Sequence, residues 1–486
     1  AISARRGQSS GTSAAFSGAV GVNKIDNIIE SAVKNSTVEG LKSMDVTALS
    51  GGTSVAVGTG LSLTKNSQPG NNFAGGASVS VNLIDKDVKA LAEKNTVSGV
   101  SADDKAAVKL TAYESDLQVT GGVNANVATG GGTAVGGSIT VADIKNDLDA
   151  RISGGMYTNI KTADAESLLA TKQITAAIST GVAVGGSGTN NAFTGAMVYN
   201  GLHNAVNANI SGGTNITADS IAVRAHDTTS GSAEAKPYQD LLGNYKEHQQ
   251  FAEDAGVDTD GSSYYKTSDS SNGLDTAGEK VDYDANKGSL SVGAAFVVAG
   301  SSGNAAGAAV NVANVDNDFT AALADATLAA NSVSAEADAD SLAVNVSAGV
   351  AAGSKDFGGM GSVTWQDMDN TVLAKASDSA ITADSLAVKA ASNSQAVNVA
   401  GSVAYGKTAG VGAALAYNGL DNHIGAYLAG GSVTAKTPST GVSVDVEGKN
   451  TGKIYGIGAA VAASQTAAVN GTVVVNHGGS DTEAVV

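Results

Sequence analysis

The stretch GAAVNVANVDN, Gly307 to Asn317, decides the fold: a run of small residues, valine at alternate positions, then an Asp-Asn pair. The same phrase precedes it as GAVGVNKIDN (Gly18 to Asn27), GASVSVNLIDK (Gly76 to Lys86), GSITVADIKN (Gly137 to Asn146) and GAMVYNGLHN (Gly195 to Asn204). It follows as GSVTWQDMDN (Gly361 to Asn370), GAALAYNGLDN (Gly412 to Asn422) and a worn copy, GTVVVNHGGSD (Gly471 to Asp481). The apolar residue before the pair is Ile25, Ile84, Ile144, Leu202, Val315, Met368 and Leu420, at spacings of 59, 60, 58, 113, 53 and 52. A second phrase sits in mid-repeat, as ITADSIAVRA (Ile216 to Ala225) and ITADSLAVKA (Ile381 to Ala390). Two phrases in fixed order at a fixed period are the signature of a repeat architecture.

Both phrases alternate with period two and are flanked by Gly, Asn, Asp and Ser, so they read as strands joined by turns. Such strands cannot bury an apolar face alone, and stacked neighbours must supply the core. The fold expected is all-β: a repetitive β-solenoid, drawn as a right-handed parallel β-helix, with one partly helical insertion. Asp and Asn side chains bond their own backbone and tolerate left-handed geometry, so Asp26-Asn27, Asp316-Asn317, Asp369-Asn370 and Asp421-Asn422 are read as corners. The alternative is a calcium site. With two or three coils per repeat, equivalent carboxylates would stand roughly 10 to 14 Å apart, too far for one ion with ligands at about 2.3 to 2.6 Å. The rod would then be about 80 to 115 Å long. The Asn one strand position earlier, at Asn23, Asn82, Asn200, Asn418 and Asn476, reads as an inward amide bonding backbone near a corner.

Composition narrows the function. The chain has 486 residues, 28 Lys+Arg against 46 Asp+Glu, and a formal charge of −18, which disfavours nucleic-acid or anionic-membrane partners. Aromatics are 4%, Gly 62, Pro 3 and Cys 0, so the core must come from Ala, Val, Leu and Ile, and there is no thiolate or sulfur-type zinc site. No run of eighteen apolar residues occurs, so no membrane insertion by this segment is expected. Arg5 and Arg6 lead into polar residues, and Ala1 to Phe16 does not read as a signal peptide.

The small-residue composition and the phrases at Gly307 to Asn317 and Gly412 to Asn422 resemble the repeat regions of giant bacterial surface adhesins, the filamentous-haemagglutinin and leukotoxin-like filamentous group. The resemblance covers nearly the whole chain outside 235–288. It implies a secreted, surface-attached stalk that presents adhesive parts to a host or neighbouring-cell surface protein or glycan.

The spacing of 113 falls back to 59 when 54 residues are removed, and composition shifts over 235–288, giving solenoid repeats at 1–234, an inserted projection, and repeats again at 289–486. The insertion holds five of the twelve tyrosines and 11 acidic residues against five Lys. Tyr238, Leu241, Leu242 and Tyr245 have helical spacing after Pro237, and Tyr264 and Tyr265 are the recognition candidates, because tyrosine gives large contact area at low entropy cost. Asp258 and Asp260 are the metal candidates, for calcium, although the sequence around them fails the EF-hand pattern at both ends. The five histidines form no HxxxH, the single Trp365 occupies the strand position of Tyr199 and Tyr417, and no nucleophile or phosphate motif has its strand-to-helix context. The reading is a non-enzymatic, extracellular stalk. Alternatives are a filament or sheath subunit that self-associates end to end, and a phage fibre or polysaccharide-processing β-helix.

Overall fold

The computed structural model describes residues 2–7, 13–66, 72–184, 190–227, 275–276, 279–280 and 288–486. Among them it is a parallel β-solenoid. One coil is a strand at Asn304–Ala324, a short edge strand at Ala326–Ala329 and a strand at Ser332–Gly353, after which Phe357 starts the next coil. Stacked coils make two long sheets, I and II, facing each other, with a narrow edge between them. Sheet I contains eight such strands, from Ser13–Lys34 to Ala467–Val485, all paired in parallel. Sheet II runs from Ile2–Gly7 to Ser443–Ala463 in the same manner.

The register corrects the expected coil count. Val315 pairs with Met368 and with Leu202, so each repeat forms one coil, not two or three. Strands of 21 and 22 residues extend roughly 70 Å, whereas eight coils stack only about 38 Å deep. The molecule is a slab instead of the long rod. The marker residues stack into one apolar file of Ile84, Ile144, Leu202, Val315, Met368 and Leu420, with Ile25 packed against it.

The Asp-Asn corners are also corrected. Burial alternates without a break through Asp316 and Asn317, and Asp26, Asn27, Asp369, Asn370, Asp421 and Asn422 likewise lie inside strands. A residue pair in an extended strand points to opposite faces, so the Asp goes out and the Asn goes in. The true corners come ten residues after each marker, at Asn35, Lys94, Gly154, Gly212, Asp325, Asp378 and Gly430, all with positive φ. Glycine reaches that conformation at no steric cost, and Asn or Asp reach it with local hydrogen bonding.

Large apolar side chains such as Leu148, Ile152 and Phe319 fill the interior toward the corners, and the stretch before the marker file takes small or amide side chains. In the deciding phrase Ala309, Asn311, Ala313 and Val315 face in, while Val310 and Val312 face out. Facing groups bond across the gap, as Asn345 Nδ2 to Gln366 Oε1 at 2.7 Å and Ser54 Oγ to Asn82 Oδ1 at 2.7 Å. Asn82, Asn200 and Asn418 are buried; Asn82 donates to Ser54 O and Asn418 to Ala396 O, so these are inward amides, in mid-strand and not near corners.

The chain leaves sheet II at Asp227 and re-enters at Ser289, whose Oγ donates to Asp227 Oδ2 at 2.9 Å. The expected helix at 238–245 lies outside the described residues. Within 235–288 the described part is an antiparallel pair, Asp275–Thr276 with Glu279–Lys280.

Candidate functional site

Two polar files run perpendicular to the strands of sheet I. The inner one is made by the Asn that follows each marker residue by two positions, from Asn146 to Asn422, and ends on Asn450 of sheet II. Asn146 Nδ2 donates to Asn204 Oδ1 at 3.0 Å, Asn204 to Asn317 at 2.7 Å, Asn317 to Asn370 at 2.7 Å, Asn370 to Asn422 at 2.7 Å and Asn422 to Asn450 at 2.8 Å. Asn204, Asn317, Asn370 and Asn422 each donate to one neighbour and accept from the other, which satisfies groups that would otherwise be costly to bury, while Asn146 at the end of the file only donates.

At one rung the file changes chemistry. Lys86 stands between Asn27 and Asn146 in register, and its buried ammonium contacts Asp116 and lies 3.7 Å from Glu114 Oε1. Burial first, and the Asp116 charge second, push the Glu114 carboxyl well above its ordinary value. The cluster therefore sets two buried acidic side chains beside one buried lysine, with the Glu114 proton favoured over its charge. Thr171 Oγ1 donates to Glu114 Oε2 at 2.6 Å and accepts from Asn146 at 3.0 Å, joining the cluster to the amide file.

The outer file is acidic. Asp316, Asp369 and Asp421 are successive register partners, with His203 and Lys145 one and two rungs below. Asp367, Asp369 and Asp421 have carboxylate oxygens within 4.8 Å of one another. Burial, then the charges of Asp367, Asp421 and Asp316, raise the Asp369 carboxyl; burial and then Asp421 raise Asp367, which His477 partly offsets. Two glycines give the carboxylates room: a Cβ on Gly419 would stand 2.4 Å from Asp367 Oδ1, and one on Gly479 2.0 Å from Asp421 Oδ1. A shallow depression of ≈ 410 Å³ beside them is lined by Asp369, Thr371, Asp421, His423 and Asp481. His423 Nδ1 lies 3.4 Å from Asp481 Oδ2, and His203 sits between Asp143 and Asp316 at 3.6 and 3.8 Å.

One coil per repeat removes the distance argument against a shared ion. Among the described residues these three carboxylates are the group placed to hold a hard divalent cation through oxygen ligands. Without one they repel. Asp369→Asn is expected to stabilise the fold by about 0.2–1 kcal/mol in urea unfolding at pH 7 and low salt, the range for like charges on adjacent strands. Because the folded carboxyl titrates above its unfolded value, the penalty is present at neutral pH and is relieved as pH falls toward 3.8. A gain that persists at pH 4 or in 1 M salt contradicts this.

Of the other sequence candidates, Trp365 is on the outer face of sheet I, stacked on Tyr417 with ring centroids 4.0 Å apart, in one register row with Tyr199. Tyr264, Tyr265, Asp258 and Asp260 lie outside the described residues. Two groups had no signal in the sequence: the Lys86 cluster, which depends on residues 30 apart, and Lys172, whose burial lowers its ammonium to about 8. Comparison with protein-family models, with curated proteins and with solved structures finds no match to this chain. The class that fold and files define is a flattened parallel β-solenoid with a buried amide ladder.

Proposed function

We infer that this chain is a structural and adhesive element of an extracellular bacterial surface, with 235–288 as its contact projection. The observation that supports this is the sheet I register: each coil is tied to the next along strands of about twenty residues, and the coils from Asn146 to Asn422 again through the amide file. Such a scaffold has no element that must move, and it resists shear through many bonds at once. Its short depth favours breadth over reach, so the slab acts as a rigid platform more than a long spacer.

The insertion can be tested without disturbing the platform, because Asp227 and Ser289 already touch. Deleting 235–288 is expected to leave the far-ultraviolet β signal and the unfolding midpoint unchanged while abolishing adhesion of protein-coated beads to host cells or glycans. Full adhesion by the deletion variant, or none by the intact chain, overturns the reading. Loss of folding on deletion would place the segment in the core.

A further inference from the structure

The outer face of sheet I is divided along the strand. Its half toward the positive-φ corners carries the acidic file. The other half has four outward rows, those of Ala306, Ala308, Val310 and Val312, without a charged side chain in any of the eight coils. The Val310 row is a continuous aliphatic ridge, including Val79, Ile139, Met197, Val363 and Leu415. The Ala308 row beside it is small throughout, including Ala77, Gly137, Gly195, Gly361 and Ala413. Ile139 and Met197 are 44% and 43% exposed, and Trp365 in the next row 44%, so nothing in the described chain covers this face. Parallel sheets are ordinarily covered on both faces, and an apolar patch of more than a few hundred Å² on a folded protein marks a contact surface.

We propose that this half-face pairs with the same half-face of a second copy of the chain. Four rows at about 6.7 Å and eight rungs at about 4.8 Å make a patch of roughly 34 by 20 Å. Two such patches bury about 1,400 Å², the size of a stable, specific interface. A two-fold axis parallel to the coil axis, passing between the Ala308 and Val310 rows, sets the ridge of each copy over the small row of the other. The same operation sets the Val312 row, with Tyr199, Trp365 and Tyr417, over the Ala306 row. It also sends the two acidic files to opposite margins, so like charges never face.

The glycines of the small row fit that register. A Cβ at Gly361 meets nothing within 4 Å, and at Gly195 the nearest atom is a carbonyl oxygen at 3.7 Å. The coil itself does not need glycine there, and glycine inside a strand marks close approach of another backbone. Sheet II has exposed Val298, Val350 and Val403, but its rows mix sizes, as Phe296 beside Ala348 and Gly401, and form no ridge beside a small row. The pairing is independent of the adhesive reading.

Sedimentation equilibrium of the full chain is expected to give twice the chain mass at micromolar concentration. Val310→Lys/Val363→Lys, and separately Gly361→Leu, are expected to give monomers with unchanged circular dichroism, while Val346→Lys on sheet II leaves the dimer intact. The native chain has no cysteine, so a second measurement fixes the register. Ala308→Cys mixed with Val310→Cys should form a disulfide-linked pair under mild oxidation, well above the yield of either alone. A monomer at high concentration, a dimer lost by Val346→Lys but not by the sheet I variants, or no preference in the mixed cysteine pair overturns the proposal. So does a lipid-free monomer that floats with phosphatidylcholine vesicles through Val310 and Val363, which would make a bilayer the occupant.

Discussion

Asn370→Leu is expected to lower the unfolding free energy by about 2–5 kcal/mol. The leucine matches the amide in size, but it leaves the Asn317 Nδ2 donor and the Asn422 Oδ1 acceptor, both at 2.7 Å, without partners inside the slab. Each buried unsatisfied group costs about 1–3 kcal/mol. Asn370→Asp separates the geometric from the electrostatic part. A carboxylate still accepts from Asn317 but cannot donate to Asn422 or to Ser394 Oγ, and it is a charge in a position 1% exposed. Its carboxyl would titrate above the unfolded value, so the loss is largest at neutral pH, about 3–5 kcal/mol, and shrinks as pH falls below the folded pKa and the acid regains a donor. Urea unfolding monitored by circular dichroism at pH 7 and pH 4.5 measures both. The exposed Asn393→Leu, on sheet II, is the control and should stay within about 0.5 kcal/mol.

Lys86→Met is expected to cost a similar amount, about 3–5 kcal/mol at neutral pH, because it leaves Asp116 and Glu114 buried without their cation. The double variant Lys86→Asn/Asp116→Thr copies the neighbouring coil, where Asn146 bonds Thr171 at 3.0 Å. It should recover most of the stability, because the buried Lys86 and Asp116 charges are removed together and replaced by a hydrogen-bonding pair. A Lys86→Met protein as stable as the parent would mean that the cluster is not ion-paired, and an equally damaged double variant would mean that Lys86 is needed for its packing instead of its charge.

The repeat period was legible because it is carried by one apolar residue per coil. Ile84, Ile144, Leu202, Val315, Met368 and Leu420 occupy one file, and their sequence spacings equal the register offsets. The inward Asn82, Asn200 and Asn418 were legible for the same reason: a single residue type held at one phase of a strand. The number of coils per repeat was hidden, because strands of more than twenty residues look in sequence like several short ones punctuated by Gly and Asp. The Asp-Asn pair looked like a turn, since its composition is that of turns, yet strand alternation places Asp369 in the outer file and Asn370 in the inner one. The real corners had a signal, a Gly, Asn or Asp ten positions after six of the seven markers, with Lys94 the exception. It was masked by variety, as Gly154, Asp325 and Lys94 serve the same bend.

The direction of the strand faces was the second hidden element. Valines in an alternating phrase suggest an apolar interior, but the gap between the sheets accepts Ala, Ser and Asn, and Val310 and Val312 are turned outward. That inversion is local: along the Ala309, Asn311 and Ala313 stretch the inward positions are small or amide and bond across the gap, whereas nearer the corners the interior takes Leu148, Ile152 and Phe319. One coil per repeat also brings the acidic file within reach of a single cation, which a spacing of two or three coils would forbid.

The most direct test is the distance between two spin labels on Lys145→Cys and Asp421→Cys, diluted with unlabelled chain. These positions are linked through His203, Asp316 and Asp369, four rungs in all. With one coil per repeat the labels should lie about 19 Å apart, at roughly 4.8 Å per rung. A distribution centred near 38 Å or beyond, as two or more coils per repeat require, would contradict the account.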